Sequence, residues 1–325
     1  MRRREFVGLL GGVAVAWPIG AHAQQATLIG FLSARSPDES TELVAAFREG
    51  LREAGFVEGQ NLLIEYRWAE GRYDRLRALA AELVGLRVAL LFTAGGPVSV
   101  LAAKAATSTI PIVFSGAADP VRLGLVSDLN RPGGNVTGMS LFTLTLVPKS
   151  VEMLHELLPT VTVAAYLANP SSPSTKVETQ EAQATASTLG IQLHVLNART
   201  EGELDKAFAS LGNLGARGLV VPADAFFDSH RDRLVALSAR YAVPAIYPWR
   251  DCVVAGGLMS YGTSLTDSYR RAGIYAGRIL KGERPADLPV QQPTKFELAI
   301  NLKTAKSLGL TVPPSILLRV DEAVQ

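Results

Sequence analysis

The chain alternates between short apolar runs without polar interruption and longer runs whose apolar residues recur every three or four positions. From Val161 to Ala168 it reads VTVAAYLA, and the absence of alternation suits a strand covered on both faces, as in a parallel sheet. Asn169 and Pro170 stop that run, and Ser171, Ser172, Ser174 and Thr175 then supply hydroxyls able to cap a following helix. The same order occurs earlier, where TLIGFLS closes on Ser33 and runs into ARSPDEST. Leu43, Phe47 and Leu51 recur at a spacing of four in the segment after it, which gives a helix one apolar stripe.

Carried along the whole chain, this alternation predicts strands at 28–32, 62–68, 88–93, 110–114 and 136–139, with helices at 39–54, 75–84 and 98–105 between them. The turn cluster NRPGGN at 130–135 precedes the last of these strands, and a crossover is expected near Ser140. A second half follows, with helices at 146–157, 177–189 and 231–241 and strands at 161–167, 192–196, 218–221 and 245–246. GGLMSYG at 256–262 reads as a further buried strand, followed by a helix at 265–280, a turn-rich KGERP, a strand at 296–300 and a helix at 302–308. The expected fold class is α/β, with two doubly wound parallel-sheet lobes joined by crossovers. A length of 325 residues exceeds what one core usually holds, which supports two lobes.

The first residues change the address. Arg2, Arg3 and Arg4, a short apolar stretch, and Ala21-His22-Ala23 describe an export signal cleaved after Ala23. Arg3-Arg4-Glu5-Phe6 fits a twin-arginine signal, with Arg2 where a serine is usual. The apolar centre is too short and too glycine-rich for a comfortable membrane span. Cleavage removes three arginines and one glutamate, so a net charge of +2 becomes zero. A neutral mature chain lacks the basic excess of a nucleic-acid binder.

The chemistry is defined partly by what is missing. Four scattered histidines and the single Cys252 offer no ligand spacing, so no metal is expected. Ser260 lies near glycines, but the first glycine of a nucleophile elbow is out of register. Thr93-Ala94-Gly95-Gly96-Pro97 lacks the lysine of a phosphate loop and the spacing of a dinucleotide fingerprint. With no catalytic constellation, the chain is expected not to be an enzyme and to carry no cofactor. What remains are strand ends, where open α/β sheets bind ligands. There the sequence places Ser33, the turn with Thr93 and Gly95, Ser115 and Asp119, Asn169 and Ser172, and Asp224 beside Phe227. Asp224 suits either a helix N-cap or the charged partner of a buried ammonium. Phe142, Tyr247 and Tyr261 are candidates for an apolar slot.

Across nearly its full length the sequence resembles the bacterial ABC-transporter substrate-binding proteins of the tryptophan/tyrosine type. The resemblance rests on RRREFVGLLGG, LANPSSPS, GGLMSYG and GIYAGRILKGERPADLPVQQPTKFELAINLKTAKSLGLTVPP. It implies a type I periplasmic-binding fold with three crossovers, closing on a small molecule. It further implies an N-terminal lobe of residues 24–140 plus 258–283 and a C-terminal lobe of 141–257 plus 284–325, with the strand at 257–261 in the first. By the same resemblance, Asp224 would pair with an amine, and the loops at 93–95, 115–119 and 169–172 would receive a carboxylate. The function so implied is that of a periplasmic solute-binding component of an ABC importer, monomeric, delivering an aromatic amino acid or related carboxylate to an inner-membrane permease. No lipobox is present, which implies a free protein and not a tethered one. A sensor kinase as the recipient of the ligand, and an exported α/β enzyme, are the alternatives.

Overall fold

The computed structural model describes residues 26–141, 143–293 and 295–324; the export signal expected at the N-terminus, and Phe142, lie outside these. The first sheet comprises β1 (Thr27–Ser33), β2 (Leu62–Trp68), β3 (Leu90–Ala94), β4 (Ile112–Ala117) and β5 (Val136–Ser140), in the order β2-β1-β3-β4-β5. All its neighbours are parallel, in register from Thr27 against Leu62 to Ser33 against Trp68 at the β1–β2 pair. The second contains β6 (Val163–Ala168), β7 (Gln192–Asn197), β8 (Leu219–Val220), β9 (Ala245–Tyr247), β10 (Met259–Thr263), β11 (Phe296–Asn301) and β12 (Glu322–Val324). Its order is β12-β11-β10-β9-β8-β6-β7, and β10 meets β11 antiparallel while the other neighbours are parallel.

Each sheet is covered on both faces, which is why its strands read as continuous apolar runs. Ile29, Phe31 and Phe92 pack toward the helices Thr41–Glu53 and Leu265–Leu280, while Leu32, Leu91 and Phe114 face the helices Leu76–Gly85 and Pro97–Ala106. Phe47 stacks on Phe92 at 4.1 Å, and Tyr269 meets the same ring edge-on at 5.4 Å. The second sheet packs Tyr166 and Ile300 toward the helices Thr143–Leu157 and Thr175–Thr188. Its other face carries Leu167 and Leu219 against the helices Glu201–Ser210 and Arg231–Arg240.

One expectation is corrected. The strand assigned to the first lobe belongs to the second sheet, because Met259 and Ser260 pair with Ile246 and Tyr247, and Met259 to Thr263 pair with β11. Only the helix after it, Leu265–Leu280, crosses to the first lobe. The segment beyond residue 283 also stays there, since Thr137 donates to the Leu288 carbonyl at 2.7 Å and the Val290 N–H to the Leu129 carbonyl at 2.7 Å. The chain returns at Gln291, whose carbonyl accepts from the Ser140 N–H, so two crossings run side by side. An apolar period identifies a buried strand, but it does not say which sheet's edge receives it.

Helix Leu265–Leu280 is anchored by backbone proximity. A methyl group at Gly50 would overlap the Arg270 carbonyl, and one at Gly273 the Phe47 carbonyl, so the two helices touch main chain to main chain. Gly273→Ala is therefore expected to destabilise the protein by about 2 kcal/mol or more, because overpacked backbone contacts cannot relax. Gly202→Ala, in an open helical position, should instead stabilise by about 0.5–1 kcal/mol. Urea unfolding of both variants checks the contrast, and equal effects would contradict it.

Candidate functional site

The carboxyl ends of the parallel strands in both sheets converge on one cleft. From the first lobe come Arg35, just past β1, the turn of Gly95 and Gly96 after β3, and Ser115 and Gly116 at the end of β4. The second lobe contributes Ala223, Asp224 and Asp228 after β8, Trp249 after β9, and Ser174. Leu141 and Leu265 close the side where the chain crosses, and Tyr269 reaches in from the anchored helix. The cavity is narrow, ≈ 30 Å³, room for a water or two. Apolar contact shuts it as well, because Trp249 and Ala223 pack into the first lobe's core and Ala225 into the cluster on its other face.

The chain conformation at each strand end explains how these groups are held. Gly95 and Gly96 have φ of +79° and +94°, a region open to glycine, and Pro97 opens the helix Pro97–Ala106. The first N–H groups of that helix therefore lie at the cleft wall with no bulky side chain over them. Thr93 and Ser99, on either side of the turn, are fully buried, and their hydroxyls have no hydrogen-bond partner among the described residues. On the opposite wall Asp224 is the N-cap of the short helix Ala225–Ser229, accepting from the Phe226 N–H at 3.0 Å. Asn169 Nδ2 donates to the same carboxylate at 2.9 Å, and the Tyr73 hydroxyl of the first lobe donates to it too.

Four residues along, Asp228 accepts the Trp249 indole N–H at 2.8 Å and forms an ion pair with Arg35 at 2.5 Å, both charged side chains being 8% exposed. Burial works against the Arg35 charge, but Asp228 together with Tyr269, Asp251 and Glu39 offsets it, and the guanidinium sits above its ordinary value. Burial lifts Asp228 to about 6 against the pull of Arg35, so it remains ionised at neutral pH. Asp224 is also raised by burial, opposed by the donors that cap it. Behind it Glu178, 4% exposed, is lifted by burial to about 7, with Ser174 and Thr143 hydrogen bonds pulling the other way. The second-lobe wall thus carries more acid than the one guanidinium facing it, that of Arg35, cancels.

The structure sorts the residues expected from the sequence. Gly95, Ser115 and Asp224 line the cleft. Ser115 shares a hydrogen bond of 2.8 Å with Ser268. Asn169 stands behind Asp224, its loop pinned by the Thr175 hydroxyl on the Asn169 carbonyl. Thr93 is buried at the turn, and Ser33 accepts from the Arg35 N–H at 3.1 Å, shaping the loop that carries the arginine. Ser172 lies outward, bonded to Ser174. The remaining expectations are corrected. Asp119 caps its own turn, accepting from the Val121 and Arg122 N–H groups. Phe227 is core, and Tyr247 is core with its hydroxyl on Ser238. Tyr261 stacks on Phe296 across the β10–β11 pair. Aromatic residues at strand ends were drawn into the sheet packing, where their area is most fully buried. Arg35, Tyr73, Asp228, Trp249 and Tyr269 were missed, although Asp228 follows Asp224 at the spacing that puts both on one helix face.

The family model for ABC transporter substrate binding proteins matches residues 29–324, and the chain belongs to that family. Members are extracellular or periplasmic, and no helix among the described residues is long and apolar enough to cross a membrane. A curated relative, the tyrosine-binding protein of Clostridioides difficile (strain R20291), is 27% identical over 265 residues, covering 81% of this chain and 75% of that one. A Streptococcus pneumonia ABC domain solved in complex with L-Trp superposes with a TM-score of 0.84 at 25% identity, covering 92% of this chain and all of the other. The ligand-free, open structure of a Clostridium difficile substrate-binding protein with adhesive properties matches over the same 92% and all of its own chain, at 26% identity, but with a TM-score of 0.65. The chain as a whole thus superposes better on the L-Trp complex than on the open structure.

The raised carboxyl of Glu178 makes a pH prediction with a definite sign. A carboxyl lifted from 4.5 to about 7 by folding binds more protons in the native than in the unfolded chain, so its burden on stability grows as pH rises through that window. Glu178→Gln, able to keep the Ser174 and Thr143 contacts, should stabilise by about 1–3 kcal/mol at pH 8 and change little at pH 4. Urea unfolding at the two pH values measures it, and a stabilisation equal at both would contradict the assignment.

Proposed function

We propose that this protein is the periplasmic solute-binding component of an ABC importer, capturing an aromatic L-amino acid between its lobes and delivering it to an inner-membrane permease. The observation that carries this reading is the cleft itself: a helix N-terminus with small residues on one wall faces a wall of acids and an indole on the other. A zwitterion matches that polarity. Its carboxylate meets the turn of Gly95 and Gly96 and the Ser115 hydroxyl, where backbone N–H groups favour an anion. Its ammonium meets Asp224, on the wall whose acids exceed the one arginine that faces them. Trp249, Leu141 and Leu265 supply apolar surface for the side chain.

Binding and release require movement of one lobe against the other, and the three chain crossings beside Leu141, Ser264 and Pro293 are the places for a hinge. Ligand favours closure by touching both walls at once. No covalent step enters this function. Export and cleavage after Ala23 would leave a free protein in the periplasm. The similarity to the tyrosine-binding relative and to the L-Trp complex supports the choice of an aromatic ligand.

Titration calorimetry of the purified protein with L-tryptophan, L-tyrosine and L-phenylalanine tests the proposal. At least one is expected to bind with 1:1 stoichiometry and a Kd around or below roughly 1 μM, about −8 kcal/mol. Asp224→Asn retains a residue able to cap the helix but loses the charge, and should weaken binding at least about tenfold. Absence of binding to all three, or their turnover, would refute the reading.

A further inference from the structure

Asp224 and Asp228 stand one turn apart on the same face of helix Ala225–Ser229, and each is met by a side chain from the opposite lobe. Arg35 reaches Asp228 at 2.5 Å, and Tyr73 bonds Asp224 while accepting the Phe226 N–H at 3.3 Å. We propose that these two contacts form a latch that holds the lobes shut by protein groups alone, and that Asp228 couples the latch to the cleft's aromatic wall. The coupling lies in how one carboxylate is shared. One oxygen takes Arg35 from the first lobe, and the other takes the Trp249 indole from its own lobe. The guanidinium lies 5.9 Å from the Trp249 ring centroid, so the same arginine that closes the lobes also bears on the indole face.

The physical case rests on desolvation. When the lobes part, Arg35 and Asp228 return to water and neither needs the other. When they close, both are buried, and a buried charge is tolerated only if paired. Removing one partner therefore penalises the closed form far more than the open one. Closure in turn sets apparent affinity: the shut cleft has room for a water or two only, so a ligand must first displace the latch, and apparent affinity falls as the latched fraction rises. A latch shifts that fraction identically for every ligand, whereas a residue touching the ligand side chain discriminates between ligands. Tyr73 works in the same direction with one hydroxyl.

The test has two arms, and only the second rests on the proposed function. In the first, small-angle X-ray scattering compares the ligand-free parent with Arg35→Met, Asp228→Asn and Tyr73→Phe. The radius of gyration is expected to rise in the first two and, by less, in the third; Tyr73→Phe removes a single atom and keeps the test open should a charge variant fail to fold. In the second, calorimetry with L-tryptophan and L-tyrosine is expected to show Arg35→Met lowering both Kd values by the same factor, about tenfold or more, with their order unchanged. Scattering identical to the parent in every folded variant overturns the latch. So does a weaker Kd for either amino acid, which would make Arg35 a ligand contact. Should neither amino acid bind the parent, the scattering arm alone decides.

Discussion

The structure depends on a constraint of parallel sheets: every strand of such a layer ends on the same side, and the chain cannot cover that side while running helices over both faces. The carboxyl ends of β1, β3 and β4, and of β6, β8 and β9, therefore remain a rim of turns, caps and first-turn N–H groups. Each lobe leaves such a rim, and the rims cover one another. That mutual covering is what permits Arg35, Asp224 and Asp228 to lie buried, the arginine paired with Asp228 and Asp224 held by hydrogen bonds.

The rest of the architecture keeps the rims opposed. Helix Leu265–Leu280 leaves the second sheet and is locked on helix Thr41–Glu53 at two glycines, so it belongs mechanically to the first lobe. Its Tyr269 touches Phe92 in the core and the cleft at the same time, which ties the packing of the first lobe to the shape of the site. The two adjacent crossings, bonded between Ser140 and Gln291, confine relative movement to a hinge beside the cleft. Small residues at one wall and acids at the other are then set by local chemistry: a Gly-Gly-Pro turn on one side, an aspartate cap on the other.

Much of the fold was legible because the two periods differ. Strand β2 and helix Leu265–Leu280 occur at the very residues expected, and most other elements differ by a residue or two at their ends. Strand β12 escaped notice, since Glu322–Val324 is too short to show a period and is held by pairing with β11 and by the Arg250–Glu322 contact. The site was legible only where local sequence determines it, at the strand ends with Gly95, Ser115 and Asp224. Asn169 reaches Asp224 across 55 residues of chain, and Arg35 finds Asp228 on the other lobe. An arginine following an apolar strand reads as a solvated loop charge, because its burial is created by the second lobe. Tyr247 and Tyr261 failed for the converse reason: residues at strand ends looked available, and the sheet's own layers absorbed them.

The central claim is that an aromatic amino acid sits between the two rims with its charges apportioned between the lobes. A crystal structure of the protein grown with L-tryptophan is the most direct measurement. The account predicts density for the amino acid between the Gly95 turn and Asp224, carboxylate toward the first lobe and ammonium toward the second. Density at any other place, or the reverse orientation, would contradict it.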